Sequence, residues 1–239
     1  SEEEILKKIE DRLRAITEKH ERMLREIKKE LKKVMDEHED LLRKIEKELR
    51  DVLERLRRGV DRKEVIELLA RILEKVLELN ERILRKLVKI LKKVIDLHRE
   101  AIRELLEVLE DVLRRLRGTD DDVARELERV VRELKEELKR SVEKIERAAR
   151  EIEDLLRRVL EESKRLVEEL KRRLRRIKDN NLDATLLERI VERARRELTK
   201  NHDKLRKILE RLERILRELN EDLRRILTTA VDILRKLRK

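Results

Sequence analysis

The sequence predicts an all-α protein, a single-chain, antiparallel, up-down-up-down four-helix bundle. Leu, Ile, Val, Glu, Lys and Arg dominate its 239 residues, and it has no Pro, Phe, Tyr or Trp. This composition is typical of long helices. Breaks in the pattern are few and evenly spaced, at Gly59, Gly118 and segment 179–183. Between the breaks, apolar residues recur with the period of an α-helix.

Four helices of nearly equal length are predicted, at about residues 2–58, 62–117, 121–179 and 184–238, within one domain that covers 1–239. The start of each helix carries a side chain that can cap the free backbone N–H groups of the first turn. These candidates are Ser1 with Glu4, Asp61 with Glu64, Thr119 or Asp120, and Asp183. The two pairs that include a glutamate have the spacing of a capping box.

The ends of two predicted helices also carry a recognisable signal. Gly59 followed by Val60 fits a left-handed residue just after a helix, with an apolar residue behind it. Asn180 or Asn181 followed by Leu182 repeats this pattern with asparagine. Loops as short as these connect antiparallel neighbours, which is why the four helices are expected to form an up-down-up-down bundle.

An 18-residue repeat runs through the apolar positions of the first helix. Ile9, Ile27 and Ile45 form one column of this repeat, and Leu13 and Leu31 belong to another. Eighteen residues make five turns at 3.6 residues per turn, so the apolar stripe stays on one side of a straight helix. A strict heptad repeat would impose a left-handed supercoil. The pattern therefore predicts a nearly untwisted bundle.

The complete set of features resembles a de novo designed helical bundle, generated from parametric helices. Helix caps, minimal loops, equal helices and the 18-residue layer repeat agree along the whole chain, as design rules prescribe. Natural long bundles such as spectrin-type repeats are similar in outline but usually carry aromatic residues, prolines and irregular loops. The resemblance implies a stable structural scaffold with no natural substrate, ligand or compartment.

Composition argues against several functional classes. The chain has no cysteine, so disulfides, thiolate chemistry and cysteine-based zinc sites are excluded. Its net charge is +11, but basic and acidic residues alternate even in the most basic segment, 182–239. Interleaved charge is typical of a solvated helix surface, and nucleic-acid binding needs a one-sided basic face or aromatic stacking platforms. We therefore expect no nucleic-acid partner.

Membrane insertion and targeting are not expected either. No apolar run approaches the roughly 20 residues that span a bilayer. The first ten residues, SEEEILKKIE, do not have the pattern of a signal peptide. The sequence therefore gives no localisation.

Polar residues interrupt the apolar columns at positions that would face one another in the folded bundle. Folding the chain at its three turns brings one polar residue from every helix to each of two levels. The first level comprises His20, His98, Ser141 and Asn220. The second comprises His38, Asn80, Ser163 and either Asn201 or His202.

Each level can form a buried hydrogen-bond network that selects one helix register. Neutral histidine and asparagine both donate and accept, and a serine hydroxyl rotates to suit its neighbours. Purely apolar layers tolerate sliding by one turn, whereas a network satisfied in one register penalises the others. We interpret both levels as structural networks of this kind.

Other functions of these residues have weaker support. A structural zinc site needs four ligands, and two histidines with Ser and Asn supply too few. Glu18–His20 and Asp36–His38 have the wrong spacing for a metal motif on one helix face. Haem would need small residues around the histidines, and the flanking residues are large and apolar. A designed zinc or copper site, a pH-responsive bundle and a helical interaction module remain alternatives.

No enzyme is expected. The sequence has no glycine-rich phosphate loop, and a Ser141–His98 pair without an oxyanion hole or a substrate cleft is not a catalytic site. Met23 is expected to fill a gap or lie at the edge of the core. The sequence thus predicts a hyperstable monomer that needs no cofactor, metal or partner.

Overall fold

Four α-helices form almost all of the described chain. The computed structural model describes residues 2–59, 61–116, 122–180 and 183–237. The helices are α1 (Glu2–Arg57), α2 (Arg62–Leu116), α3 (Asp122–Asn180) and α4 (Ala184–Leu237). Each bound lies within one residue of its predicted position. The all-α four-helix fold class is confirmed, and the near-absence of twist stays a prediction.

Two of the predicted N-cap residues lie in the described ranges and accept a backbone hydrogen bond there, while the capping box of Asp61 with Glu64 stays a prediction. The Asp61 carboxylate accepts a hydrogen bond from the Lys63 backbone N–H at 3.1 Å. The Asp183 carboxylate accepts one from the Thr185 N–H at 2.9 Å. Each bond satisfies one of the N–H groups left free in the first helical turn. The caps predicted at Ser1 and at Thr119 or Asp120 lie outside the described residues.

Gly59 ends α1 in the left-handed conformation that the sequence predicts. Its φ is 75°, and its N–H donates to the Leu56 carbonyl at 3.3 Å, which is one of the two bonds of a Schellman end. Its predicted neighbour Val60 lies outside the described residues, as do Gly118, Asn181 and Leu182. Asn180 is instead the last residue of α3. No described residue other than Gly59 has a positive φ, so Asn180 is not the left-handed residue, and the alternative at Asn181 stays a prediction.

All four helices contribute to two compact units. Unit 1 comprises Ser1–Lys29, Ile90–Glu151 and Arg211–Lys239. Its core includes Leu13 of α1, Leu105 of α2, Leu138 of α3 and Leu223 of α4. Ion pairs join each helix to the next and α4 back to α1: Arg12–Asp111, Arg99–Glu146, Lys144–Glu218 and Arg235–Glu10.

Unit 2 comprises Glu30–Lys89 and Ile152–Glu210. Its core includes Leu49, Leu69, Leu170 and Leu187, again one from each helix. Ion pairs close the same ring of helices: Lys75–Glu48, Lys171–Glu74, Lys204–Glu162 and Arg206–Glu39. Glu37, earlier in α1 than Glu48, pairs with Lys86, later in α2 than Lys75, so α1 and α2 are antiparallel.

Candidate functional site

Two groups of buried polar side chains border the apolar cores. We call His20, His98, Ser141 and Asn220 of unit 1 the His20 level. We call His38, Asn80, Ser163, Asn201 and His202 of unit 2 the His38 level. The 18-residue columns help to position both levels, because Ser141 shares its column with Val159, Ser163 with Ile145, and His38 with Leu56.

In the His20 level, three of the four predicted residues meet. The rings of His20 and His98 lie with their centroids 5.8 Å apart and their planes tilted by 58°. His98 Nε2 and Ser141 Oγ form a hydrogen bond of 2.9 Å. His20 is 2% exposed and His98 0%. A ring contact between α1 and α2 and a hydrogen bond between α2 and α3 therefore link three helices.

Asn220 is the fourth predicted member of the His20 level. It is half-buried, and it lines a groove of about 200 Å³ between α1 and α4, beside Leu24 and Leu216. Its Oδ1 has no hydrogen-bond partner among the described residues. The same holds for both ring nitrogens of His20 and for His98 Nδ1. A closed four-residue network in this level remains a prediction.

In the His38 level, the polar residues form two separate pairs. Asn80 Nδ2 donates to Ser163 Oγ at 2.7 Å, which joins α2 to α3. The rings of His38 and His202 stack with centroids 5.6 Å apart and an angle of 8° between their planes, which joins α1 to α4. These two pairs have no residue in common.

The structure also distinguishes the two α4 candidates for the His38 level. His202 contacts His38, whereas the buried amide of Asn201 has no hydrogen-bond partner among the described residues. His202 is only partly buried, and its Nε2 lies 3.7 Å from Glu39 Oε1 and 3.5 Å from Arg206 Nη2. His202 is therefore the α4 residue that joins the level, and it lies between the core and a charged surface.

Burial controls the protonation of three histidines. It lowers the pKa of His20, His38 and His98 to about 4, because desolvation disfavours the imidazolium ion. The Glu21 carboxylate partly opposes this effect at His20, and the His20 charge adds to it at His98. These three rings are therefore neutral at pH 7, and each offers a donor and an acceptor.

Two buried polar residues were missed by the sequence prediction. Thr17 is buried and its hydroxyl donates to the Leu13 carbonyl at 3.0 Å. The 18-residue repeat could have indicated that Thr17 is buried, since Thr17 shares a column with the buried Leu53. Glu10 is buried and binds Arg14 and Arg235 at 2.9 and 3.3 Å. The sequence did not indicate that Glu10 is buried, because its column in the 18-residue repeat contains the charged residues Lys28 and Glu46.

The arrangement offers hydrogen bonds and imidazole nitrogens. Within residues 2–59, 61–116, 122–180 and 183–237, no cluster of three or more His, Cys, Asp or Glu side chains has the placement of a metal site. No helical stretch in those ranges is both apolar and long enough to span a bilayer. The chain matches no protein-family model, no curated protein and no solved structure.

Proposed function

We propose that the chain is a structural scaffold of designed type whose function is to hold four helices in one register. In this proposal it acts on no substrate and needs no cofactor or partner. The observation that carries it is the pair of buried hydrogen bonds between α2 and α3, His98–Ser141 in unit 1 and Asn80–Ser163 in unit 2.

Hydrogen bonds of this length are sensitive to helix register. Sliding α3 by one turn along α2 moves it by about 5.4 Å, far more than a 2.7 or 2.9 Å bond tolerates. Each buried donor or acceptor left without a partner costs about 1–3 kcal/mol. The apolar layers next to these residues are rich in Leu, Ile and Val, and they offer little discrimination between adjacent registers.

The proposal places register control in the contact between α2 and α3. Within the two levels, the side chains that α1 and α4 contribute make ring contacts or leave polar atoms without a hydrogen-bond partner in the described ranges, as at His20 and Asn201. Sliding α1 or α4 therefore breaks no hydrogen bond between members of the two levels, although it does break the bond that joins buried Glu10 to the exposed Arg235. The designed origin is supported by the sequence, through its repeat, its caps and its minimal loops.

Spin-label distances across α2 and α3 test the register function. The chain has no native cysteine, so Asp96→Cys and Glu143→Cys introduce two unique labels at exposed positions of unit 1. The native pair should give one distance population. Replacing the hydrogen-bonded residues by apolar ones (H98L, S141A, N80L and S163A together) should add a population displaced by about one turn, roughly 5.4 Å.

A matched control changes as many polar core residues but keeps both hydrogen bonds. The variant H20L/H38L/N201L/H202L should retain the single distance population. If the apolar variant of α2 and α3 also keeps one population, the hydrogen bonds do not set the register and the proposal is wrong. If the control broadens as well, register depends on α1 and α4 instead, which also contradicts the proposal.

A scaffold of this type should be monomeric and very stable. Long Leu, Ile and Val faces on all four helices should give a melting temperature above about 90 °C, the hyperstable range. Circular dichroism measures the melting, and sedimentation should give one species at 29.3 kDa. Cooperative melting near 60 °C or a concentration-dependent dimer would contradict these expectations.

A further inference from the structure

We propose that His20 and His98 form a two-nitrogen binding site in unit 1 for a soft monovalent d10 cation, Cu(I) or Ag(I). Two histidines are too few for a structural zinc site, because zinc takes four ligands. Monovalent d10 cations are stable with two or three ligands, and imidazole nitrogen and thioether sulfur both bind copper. The two imidazoles are therefore enough for this class of ion.

The two histidines present free nitrogens inside the protein. Both rings are buried, and His20 Nδ1, His20 Nε2 and His98 Nδ1 have no hydrogen-bond partner within the described ranges. Histidines that bind a metal usually donate the N–H of their other nitrogen to a nearby acceptor. His98 Nε2 already has such a partner in Ser141 Oγ. When that nitrogen donates to the serine, His98 Nδ1 carries the lone pair that a cation needs.

The distance between the rings fits one shared ion. A metal–nitrogen bond of about 2.0 Å and about 1.1 Å more to the ring centre place the metal about 3.1 Å from each centroid. The two centroids then lie about 5 Å apart for a tetrahedral angle at the metal and about 6.2 Å apart for a linear one. The observed separation of 5.8 Å falls between these limits. A bent two-coordinate geometry leaves one position open for a third, weak ligand.

A small void beside His20 supplies both access and a soft ligand. It measures about 10 Å³, close to the space of one water molecule. Met23 lines it next to His20, and its exposed thioether is a ligand type that favours Cu(I). Lys19, Glu100 and Glu104 also line the void, and their summed charge of −1 favours the approach of a cation. The void therefore leads from the surface to the histidine.

The His38–His202 pair is less suitable as a site, because His202 Nε2 lies 3.5 Å from Arg206 Nη2. The positive charge of that guanidinium opposes a second cation. The site is thus assigned to unit 1.

Silver(I) titration of the full-length chain tests the site, with Ag(I) as a probe that needs no reductant. The H38L/H202L variant removes the other histidine pair and should bind one Ag(I) per chain in chloride-free buffer at pH 7, measured by calorimetry. Adding H20L or H98L should weaken binding by at least about 100-fold, and adding S141A by about 10-fold, the range for loss of a residue that orients a ligand. Met23→Leu should weaken it less than either histidine change. Failure of the H38L/H202L variant to bind, or binding that survives H20L, would overturn the proposal.

Imidazole nitrogen chemical shifts of the unmodified chain give a second readout that does not depend on any variant folding. Saturating Ag(I) should move the signals of His20 and His98 by more than those of His38 and His202. Shifts confined to His38 and His202, or no shift at any histidine, would contradict a buried site at His20 and His98.

Discussion

The His20 level of unit 1 and the His38 level of unit 2 use the same residue types but connect them differently. In the His20 level a histidine belongs to the hydrogen bond, since His98 binds Ser141 and also contacts His20. In the His38 level the hydrogen bond joins Asn80 to Ser163, and the histidines form a separate stack. Neither side chain of the Asn80–Ser163 bond is titratable, whereas the His98–Ser141 bond includes an imidazole whose pKa is lowered to about 4 by burial. Residue content alone therefore does not determine how a buried level responds to acid.

The largest expected difference between the levels is their sensitivity to pH. The folded pKa of about 4 for His20, His38 and His98 lies below the unfolded value of 6.5, so folding favours the neutral rings. Stability should be at its full value above pH 6.5 and should fall as the pH drops from 6.5 towards 4. The limiting loss is on the order of 3 kcal/mol for each ring. Guanidinium denaturation at pH 7.5 and 4.5 measures it.

Variants of the two levels separate their contributions to this loss. H20L/H98L removes two of the depressed pKa values and H38L removes one, so the first variant should recover more of the stability lost on acidification. Surface carboxylates titrate equally in all variants and cancel in the comparison. Equal losses in the parent and in the variant H20L/H38L/H98L would mean that the buried rings do not control the acid response.

A smaller effect is expected from the Asn80–Ser163 hydrogen bond. S163A leaves the buried amide of Asn80 without its acceptor and should lower the free energy of unfolding by about 1–3 kcal/mol. The double change N80L/S163A removes donor and acceptor together and should restore most of that loss. A double-mutant cycle by chemical denaturation measures the coupling.

The Asn80–Ser163 and His98–Ser141 hydrogen bonds should also differ in how their contribution to stability depends on pH. The S163A effect should be the same at pH 7.5 and 4, because neither Asn80 nor Ser163 titrates. S141A removes the partner of a ring whose folded pKa is about 4, so its effect should stay constant down to about pH 5 and change as the pH approaches 4. Identical pH dependence for the two variants would show that the two hydrogen bonds do not differ in the way described.

The smallest effect is expected at His202. Its contact with Glu39 is 3.7 Å long and partly exposed, which is longer than a hydrogen bond. H202L should therefore change the free energy of unfolding by less than about 1 kcal/mol at pH 7.5, measured by guanidinium denaturation. A loss of several kcal/mol would mean that the stack with His38 stabilises the level far more than its exposure suggests.

Regular features of the fold were predictable because each depends on local sequence. Gly59 and Asp183 control helix ends through backbone geometry and a single hydrogen bond, and the apolar period identifies the helices between them. The 18-residue repeat was also enough to place His98 near both His20 and Ser141. These predictions required only the spacing of residues along a helix and the direction of its neighbour.

The pairing of polar side chains within a level was not predictable to the same degree. Asn201 and His202 are adjacent in sequence, so a rotation of α4 by about 100° decides which one meets His38. Asn220 reaches a groove because the α4 face that carries it turns partly towards the surface. Side-chain rotation and small helix rotations of this kind depend on packing against three other helices, which spacing in one sequence does not determine.

The buried Glu10 has a consequence for the order in which the helices associate. Its partner Arg235 is 225 residues away along the chain, whereas Glu48 and Lys75 are separated by 27. From an unfolded chain, closing the longer loop costs about 2 kcal/mol more in chain entropy. The contact between α1 and α4 in unit 1 should therefore form only after the helical hairpins have shortened the path between its partners. In the native state, the amides of these two helix segments in unit 1 should exchange with solvent deuterium before those of α2 and α3.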